Sequence, residues 1–296
     1  MRIIMRATAA IMLMTLVAMF MGCKPEDPNN GGGNNGGNIN GLFSVSASQQ
    51  VYFSQGNLQY KASTNTWQFA AHQYDCIGDN NSNISQTYSG WIDLFGWGTS
   101  GYYHGAVCYQ PWSTSTNNSD YYPYGSSYYN LYDQTGQADW GCNAISNSGN
   151  QTHQWRTLTH EEWVYVFNTR ATTSGIRYAK AKVNNVNGVI LLPDNWSSST
   201  YSLSNTNQYD VDFIDNTISS SQWSDLENAG AVFLPAAGYR YKSSVYNVGS
   251  YGYYRSASYY NAGYAWDVFF GSSYLSTDDS RYRCLGQSVR LVRSAQ

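Results

Sequence analysis

GSYGYYRSASYYNAGYAWDVFFGSSYLSTDDSRYRCLGQSVRLVR, residues Gly249 to Arg293, is the stretch on which the reading of this chain turns. Eight tyrosines fall in the 35 positions from Tyr251 to Leu285, against 28 in all 296 residues, so tyrosine is concentrated here. A tyrosine brings a large apolar face and a hydroxyl for only two side-chain torsions, and a surface of Tyr, Ser, Asn, Gly and Asp has the composition of a recognition surface. In WDVFFG, period two sets Trp266, Val268 and Phe270 on one face of a strand and Asp267, Phe269 and Gly271 on the other. The face holding Asp267 is expected to look outward, with Phe269 an exposed aromatic suited to contact. QSVRLVR alternates as a terminal strand, with Val289, Leu291 and Val292 available to a core.

Upstream, two helices stand out. Thr159 and Glu162 have capping-box spacing, followed by Trp163, Val166 and Phe167 at i, i+3 and i+4. A second helix starts at Ser219, with Gln222 three residues on, buries Trp223 and Leu226, and stops at Gly230, where a left-handed cap fits. Between them, VNGVILLPDNW (Val186 to Trp196) reads as a buried strand ending at Pro193, and AVFLPAAGYR (Ala231 to Arg240) as another. Near the start of the folded part, FSVSASQQVYFSQGNLQY suggests two short strands broken at Gln55-Gly56, and WQFAAHQY (Trp67 to Tyr74) a further strand. From Asp75 to Gly149 no helical period appears, and irregular loops pinned by Trp91, Phe95, Trp97, Trp112 and Trp140 are expected.

The N-terminus carries two arginines, an apolar run and a small residue before Cys23, the order of an export signal over residues 1–22. The Gly22-Cys23 junction resembles a bacterial lipobox, which makes Cys23 the lipidation site and the membrane a partner through an N-terminal lipid anchor. Residues 23–41 are rich in Gly and Asn with nothing to bury and read as a flexible tether, leaving 42–296 as the folded domain. Glu26 and Asp27 resemble the export tag that carries lipoproteins to the outer face in Bacteroidetes-type bacteria, which implies an outer-membrane location facing the cell exterior. Charged residues make up 12% and the net charge is −3 with no basic cluster, which argues against a nucleic-acid partner. With 42% hydrophobic residues the chain has ample material for a sizeable core.

WRTLTHEEWVYVFNTR (Trp155 to Arg170) and GQSVRLVR (Gly286 to Arg293) resemble the helix and terminal strand of formylglycine-generating-enzyme-like domains. That resemblance implies an α+β, C-type lectin-like fold with two main helices, small antiparallel sheets and long loops. FSVSASQQVYFSQGNLQY, WIDLFGWGTSGY, YNLYDQTGQADWG, GVILLPDNW, GAVFLPAAGYR and SVYNVGSYG are similar to Bacteroides surface lipoproteins diversified by retroelements, akin to the Fibrobacter succinogenes major paralogous domain. The resemblance covers nearly all of Phe43 to Arg293 and implies a variable region over 251–285. Its ligand-binding positions would be Tyr253, Arg255, Tyr259, Tyr260, Tyr264, Asp267, Phe269, Gly271, Tyr274, Asp278, Asp279, Arg281 and Tyr282. Ala265, Val268, Phe270, Leu275, Arg283 and Gly286 would form the fixed frame between them. The ligand would be a protein or glycan on a host, phage or bacterial surface.

The chemistry points the same way. A formylglycine-generating-type oxidase needs a close cysteine pair, and Cys284 has no second cysteine near it in sequence; Cys76, Cys108 and Cys142 are scattered without C-x-x-C spacing. Glu161 and Glu162 suit a first helical turn, Asp278 and Asp279 a loop, and among the histidines only His104 falls where a cleft could form. The carboxylate–amide tripeptides of calcium-dependent lectins are absent from the C-terminal half. The expectation is a binding protein with no catalytic residues, cofactor or metal site; the alternatives are a degenerate or active oxidase and a fixed adhesin or glycan-binding module.

Overall fold

A computed structural model describes residues 36–295. The signal segment, Cys23 and the first part of the tether lie outside the described residues. In chain order the strands and helices are β1 (Phe43–Ser44), β2 (Gln50–Phe53), β3 (Leu58–Lys61), β4 (Thr66–Phe69), β5 (Arg156–Thr157), α1 (His160–Val164), β6 (Tyr178–Val183), β7 (Val186–Leu191), β8 (Thr217–Ile218), α2 (Ser220–Asn228) and β9 (Val232–Pro235). Then follow β10 (Tyr239–Tyr241), β11 (Ser244–Tyr246), β12 (Gly252–Tyr259), β13 (Tyr264–Gly271), β14 (Tyr274–Tyr282) and β15 (Leu291–Ser294). The class is α+β, with mostly small antiparallel sheets: β1-β2-β15-β5, β8-β6-β7-β9, β12-β13-β14 and the hairpins β3-β4 and β10-β11.

Both helices start as their sequences dictate. Thr159 Oγ1 accepts from the backbone N–H of Glu162, and Glu162 reaches back to the N–H of Thr159, so two N–H groups that the helix cannot satisfy are paired reciprocally. Ser219 and Gln222 do the same for α2. After five residues α1 widens into a π-turn, Tyr165–Thr169, that carries Val166 and Phe167 into the core beside Trp163. The chain leaves α2 through Gly230, at φ +93°, where the Gly41 backbone approaches so closely that a Cβ on Gly41 would lie 2.2 Å from the Gly230 carbonyl oxygen.

That contact corrects the expected domain boundary, because the end of the supposed tether belongs to the fold. Ile39 donates its N–H to Phe53 O at 2.8 Å and is buried in the cluster that holds Phe43, Phe53 and Trp163. Gly37 O accepts from Gln55 N, and Gly36 O from Ser148 Oγ. A single apolar residue among glycines and asparagines gave no periodicity to read, yet one side chain, one N–H and two carbonyls suffice to anchor it. Two strand boundaries also shift. The alternating run before Gln55 is two strands, β1 and β2, turned at residues 45–49, and the strand begun at Thr66 ends at Phe69. There His72 N–H donates to Asp75 Oδ2 and closes a turn, so His72 is exposed and not in a strand.

The 75–149 region is irregular but packed. Phe95, Trp97 and Trp140 are fully buried, Trp91 and Trp112 half-buried, and the indole N–H groups of Trp97 and Trp140 donate to Ser256 O at 3.0 Å and Thr99 O at 3.1 Å. Replacing Ile39 by Ala should lower unfolding stability by about 2–4 kcal/mol in a denaturant titration; a loss under about 1 kcal/mol would return residues 36–41 to the tether.

Candidate binding face

The C-terminal stretch folds into the sheet β12-β13-β14, which is not a regular ladder. Tyr253 pairs with Phe269 and Arg255 with Asp267, but the next pair is Tyr259 with Ala265, four steps along β12 against two along β13. On the other side Asp267 pairs with Asp279 and Phe269 with Ser276, two steps against three. β12 and β14 therefore bulge while β13 keeps its alternation. The start of α1 docks on both bulges. His160 N–H donates to Ser258 Oγ at 3.0 Å, His160 Nε2 meets Asp278 Oδ1 at 2.8 Å, and Asn168, in the π-turn, donates to Thr277 Oγ1 at 3.1 Å.

The two faces of β13 are divided as period two requires, with Trp266, Val268 and Phe270 on one and Asp267, Phe269 and Gly271 on the other. Val268 and Phe270 enter the core with Tyr254 and Leu275. Trp266 is half-buried beneath the His160 ring, stacked at 4.0 Å and 9°, with Tyr260 edge-on at 4.5 Å. Ala265, Val268, Phe270, Leu275, Arg283 and Gly286, expected as the frame, are all buried.

The expectation that the Asp267 face looks outward is overturned. Asp267 and Arg255 are buried, because the chain returns after β14 and runs beside β12: Ser288 N–H donates to Tyr253 O, and Arg255 N–H to Ser288 O, each at 3.0 Å. Arg255 Nη2 donates to the carbonyls of Tyr282, Arg283 and Leu285, and Gln287 Nε2 donates to Asp267 Oδ2 at 2.6 Å. Gly271 is buried as well, since the Tyr251 ring lies over it, 2.5 Å from where a Cβ would sit. Tyr253 is buried among Tyr239, Tyr251 and Phe269. Alternation separates two faces of a strand, but a covering segment from elsewhere in the chain decides which of them meets water.

The remaining nine expected positions reach the surface. Tyr260, Tyr274, Asp278 and Tyr282 are exposed, and Tyr259, Tyr264, Phe269, Asp279 and Arg281 are half-buried. They do not form one patch. At one end of the sheet Tyr251 stacks on Phe269 (5.4 Å, 21°), Tyr274 flanks it at 5.5 Å, and the Arg281 guanidinium lies 4.8 Å over the same ring while paired to Asp279 at 2.8 Å. At the other end, around residues 260–263, Tyr264 meets Tyr282 at 4.6 Å and Tyr259 meets Tyr128 at 6.4 Å. Phe269 and Tyr264, five residues apart on β13, set the two about 17 Å apart. Tyr128, Tyr239, Tyr246 and His160 were not anticipated as neighbours; they come from distant elements, and no local pattern in the sequence marks them.

Asp267 has the electrostatics of a strained site. Burial pushes its carboxyl up to about 7, and Asp279 adds to this, against the pull of Arg255 and Arg281 and the Gln287 hydrogen bond. Its Oδ1, with Arg255 Nε and Nη1, lacks a protein hydrogen-bond partner. His104, the histidine expected in a cleft, is buried, with Nε2 on Gly98 O at 2.8 Å, and burial lowers its pKa. Cys284 is not isolated in space, since it shares a buried cluster with Cys108 and Tyr121; both are free thiols, and burial raises both. Among the described residues no three His, Cys, Asp or Glu side chains converge to hold a metal ion.

A family model described as Domain of unknown function (DUF8237) matches residues 215–292, which run from the turn before β8 through the C-terminal sheet to β15. No curated protein and no solved structure matches the chain.

A carboxyl raised in the fold binds its proton more tightly than in the unfolded chain. Its contribution is therefore present below the unfolded value of about 4 and is lost as pH rises toward about 7. Asp93, pushed up to about 6 by burial, acts in the same sense. Asp267→Asn should flatten part of the fall in stability between about pH 4 and pH 7; an unchanged slope in denaturant titrations across that window would show that Asp267 is ionised throughout.

Proposed function

We propose that this chain is a displayed binding protein, anchored by a lipid at Cys23 on the outer membrane, whose C-terminal sheet presents a diversified ligand-binding surface. The observation that carries this is the division of the stretch into buried frame positions and an aromatic exterior: Tyr260, Tyr274 and Tyr282 are 46–48% exposed, while Ala265, Val268, Phe270 and Arg283, interspersed with them along the chain, are buried. Exposed tyrosines on a packed frame lose little conformational entropy on binding. Changes at the nine surface positions leave the frame intact, whereas Arg255, Asp267, Gly271 and Tyr253 belong to it.

A C-type lectin-like fold is the finer assignment within the α+β class. It is supported by α1 lying within Trp155 to Arg170, the segment that carries the resemblance, by a second helix, α2, and by β15, the last strand, pairing with β2. The ligand is a protein or glycan on another cell, phage or host surface. The oxidase alternative draws on Cys108, which joins Cys284 inside one cluster. Thiol chemistry needs the thiolate, and burial that raises both thiols disfavours it.

The full chain, screened against arrayed bacterial, phage and host surface molecules, should yield a ligand whose affinity falls by about thirtyfold or more on Tyr260→Ala or Tyr274→Ala. Binding untouched by both changes, and by Phe269→Ala, would refute the face. Diversification is tested on the DNA: a near-copy of the segment coding Tyr253 to Leu285 should differ only where the copy carries adenine.

A further inference from the structure

A second site lies outside the tyrosine-rich stretch. A cavity of about 460 Å³ opens where the start of α1 meets β2, β5 and the end of β15, and none of its lining residues falls between Tyr251 and Leu285. This is within the size range of small-molecule pockets, with room for one or two sugar rings. Its lining includes Tyr132, Arg156, Glu162, Asp139, Thr159 and Gln49.

Each charged group in this cavity already has hydrogen-bond partners. Arg156 holds Glu162 in a two-pronged fork, Nη1 to Oε2 and Nη2 to Oε1, both at 2.6 Å, and Glu162 Oε2 also accepts from Thr159 N–H at 2.9 Å. Asp139 accepts from Gly141 N–H, Thr157 N–H and Thr157 Oγ1 at 2.8–3.0 Å. An anion would have to displace Glu162 from Arg156, and a cation would have to displace Arg156 from Glu162 or the Gly141 and Thr157 donors from the buried Asp139. A hydroxyl, which donates and accepts at once, can add to the open N–H groups and lone pairs of the fork without breaking it. Tyr132, 48% exposed, lines the same cavity and offers an apolar ring face with a polar tip, which suits the C–H side of a sugar.

We propose that this cavity binds a neutral sugar residue, its hydroxyls on the Arg156–Glu162 fork and its ring against Tyr132. The site is separate from the C-terminal face and does not rest on that face binding anything.

The test is saturation-transfer NMR on the full chain with the methyl glycosides of glucose, galactose, mannose and N-acetylglucosamine, alongside methyl glucuronoside and glucosamine as charged counterparts. At least one neutral glycoside should bind with a Kd below about 10 mM and outcompete both charged probes. Tyr132→Ala, at a surface position, should weaken it by about tenfold, while Tyr209→Ala, an exposed aromatic elsewhere, should not. Glu162→Gln keeps an amide able to cap α1 but leaves Arg156 uncompensated, so it should shift preference toward methyl glucuronoside by about tenfold. The proposal is overturned if no neutral glycoside binds in that range, if a charged probe wins on the unaltered protein, if Tyr132→Ala binds equally well, or if Glu162→Gln leaves the preference unchanged.

Discussion

Buried guanidinium groups hold this fold together where secondary structure does not. Arg240, Arg255, Arg283 and Arg290 are each fully buried, and they donate largely to backbone carbonyls. Arg283 Nη2 reaches Ser127 O at 2.6 Å and Asn261 O at 2.7 Å while its plane lies 4.5 Å over Trp97. Arg240 spans the carbonyls of Leu94, Ser113 and Lys242, and Arg290 holds Gln73 and reaches Phe233 O. A chain with long irregular segments leaves many carbonyls without a ladder partner, and each would be costly to bury unpaired. A planar cation with five donors satisfies several at once and stacks on the aromatics that exclude water. Burial lowers these groups to about 10, so they remain charged at neutral pH.

That arrangement explains how a surface so poor in regular structure can serve as a frame. Arg255 ties β12 to the segment after β14, and Arg283 ties the hairpin turn at Asn261 to the loop carrying Tyr128. Both sets of bonds converge on the end of the sheet where Tyr264 pairs with Tyr282. Substitutions at Tyr260, Tyr274 or Tyr282 touch neither set of bonds. Substitutions at Arg255 would strand the carbonyls it bonds, and an apolar substitution at Asp267 the Gln287 amide, which is why these two positions belong to the architecture despite lying inside the tyrosine-rich stretch.

Much of the fold was legible along the chain. Both capping boxes, the buried strands β7 and β9, the terminal strand β15 and the alternation of β13 rest on contacts within a few residues, and all fall in the stretches the pattern marks, although β9 ends at Pro235 and β15 starts only at Leu291. Half of the aromatic surface was legible too, since an excess of Tyr among Ser, Asn and Gly has few uses inside a core. The position of Ile39, the burial of Asp267, the nearness of Cys108 to Cys284 and the stacking of His160 on Trp266 were not, because each joins residues far apart in sequence.

The sequence by itself determined which residues share a strand face, where the helices begin and that the C-terminal stretch is rich in contact-forming side chains, because these follow from backbone geometry and composition. Only the tertiary structure decided which strand face is covered, that the tyrosines form two ends and not one patch, and that Tyr132 shares a cavity with Arg156 and Glu162. Water access is set by whatever segment packs across a face, and that segment is chosen by the whole chain's need to pair its buried carbonyls and guanidinium groups.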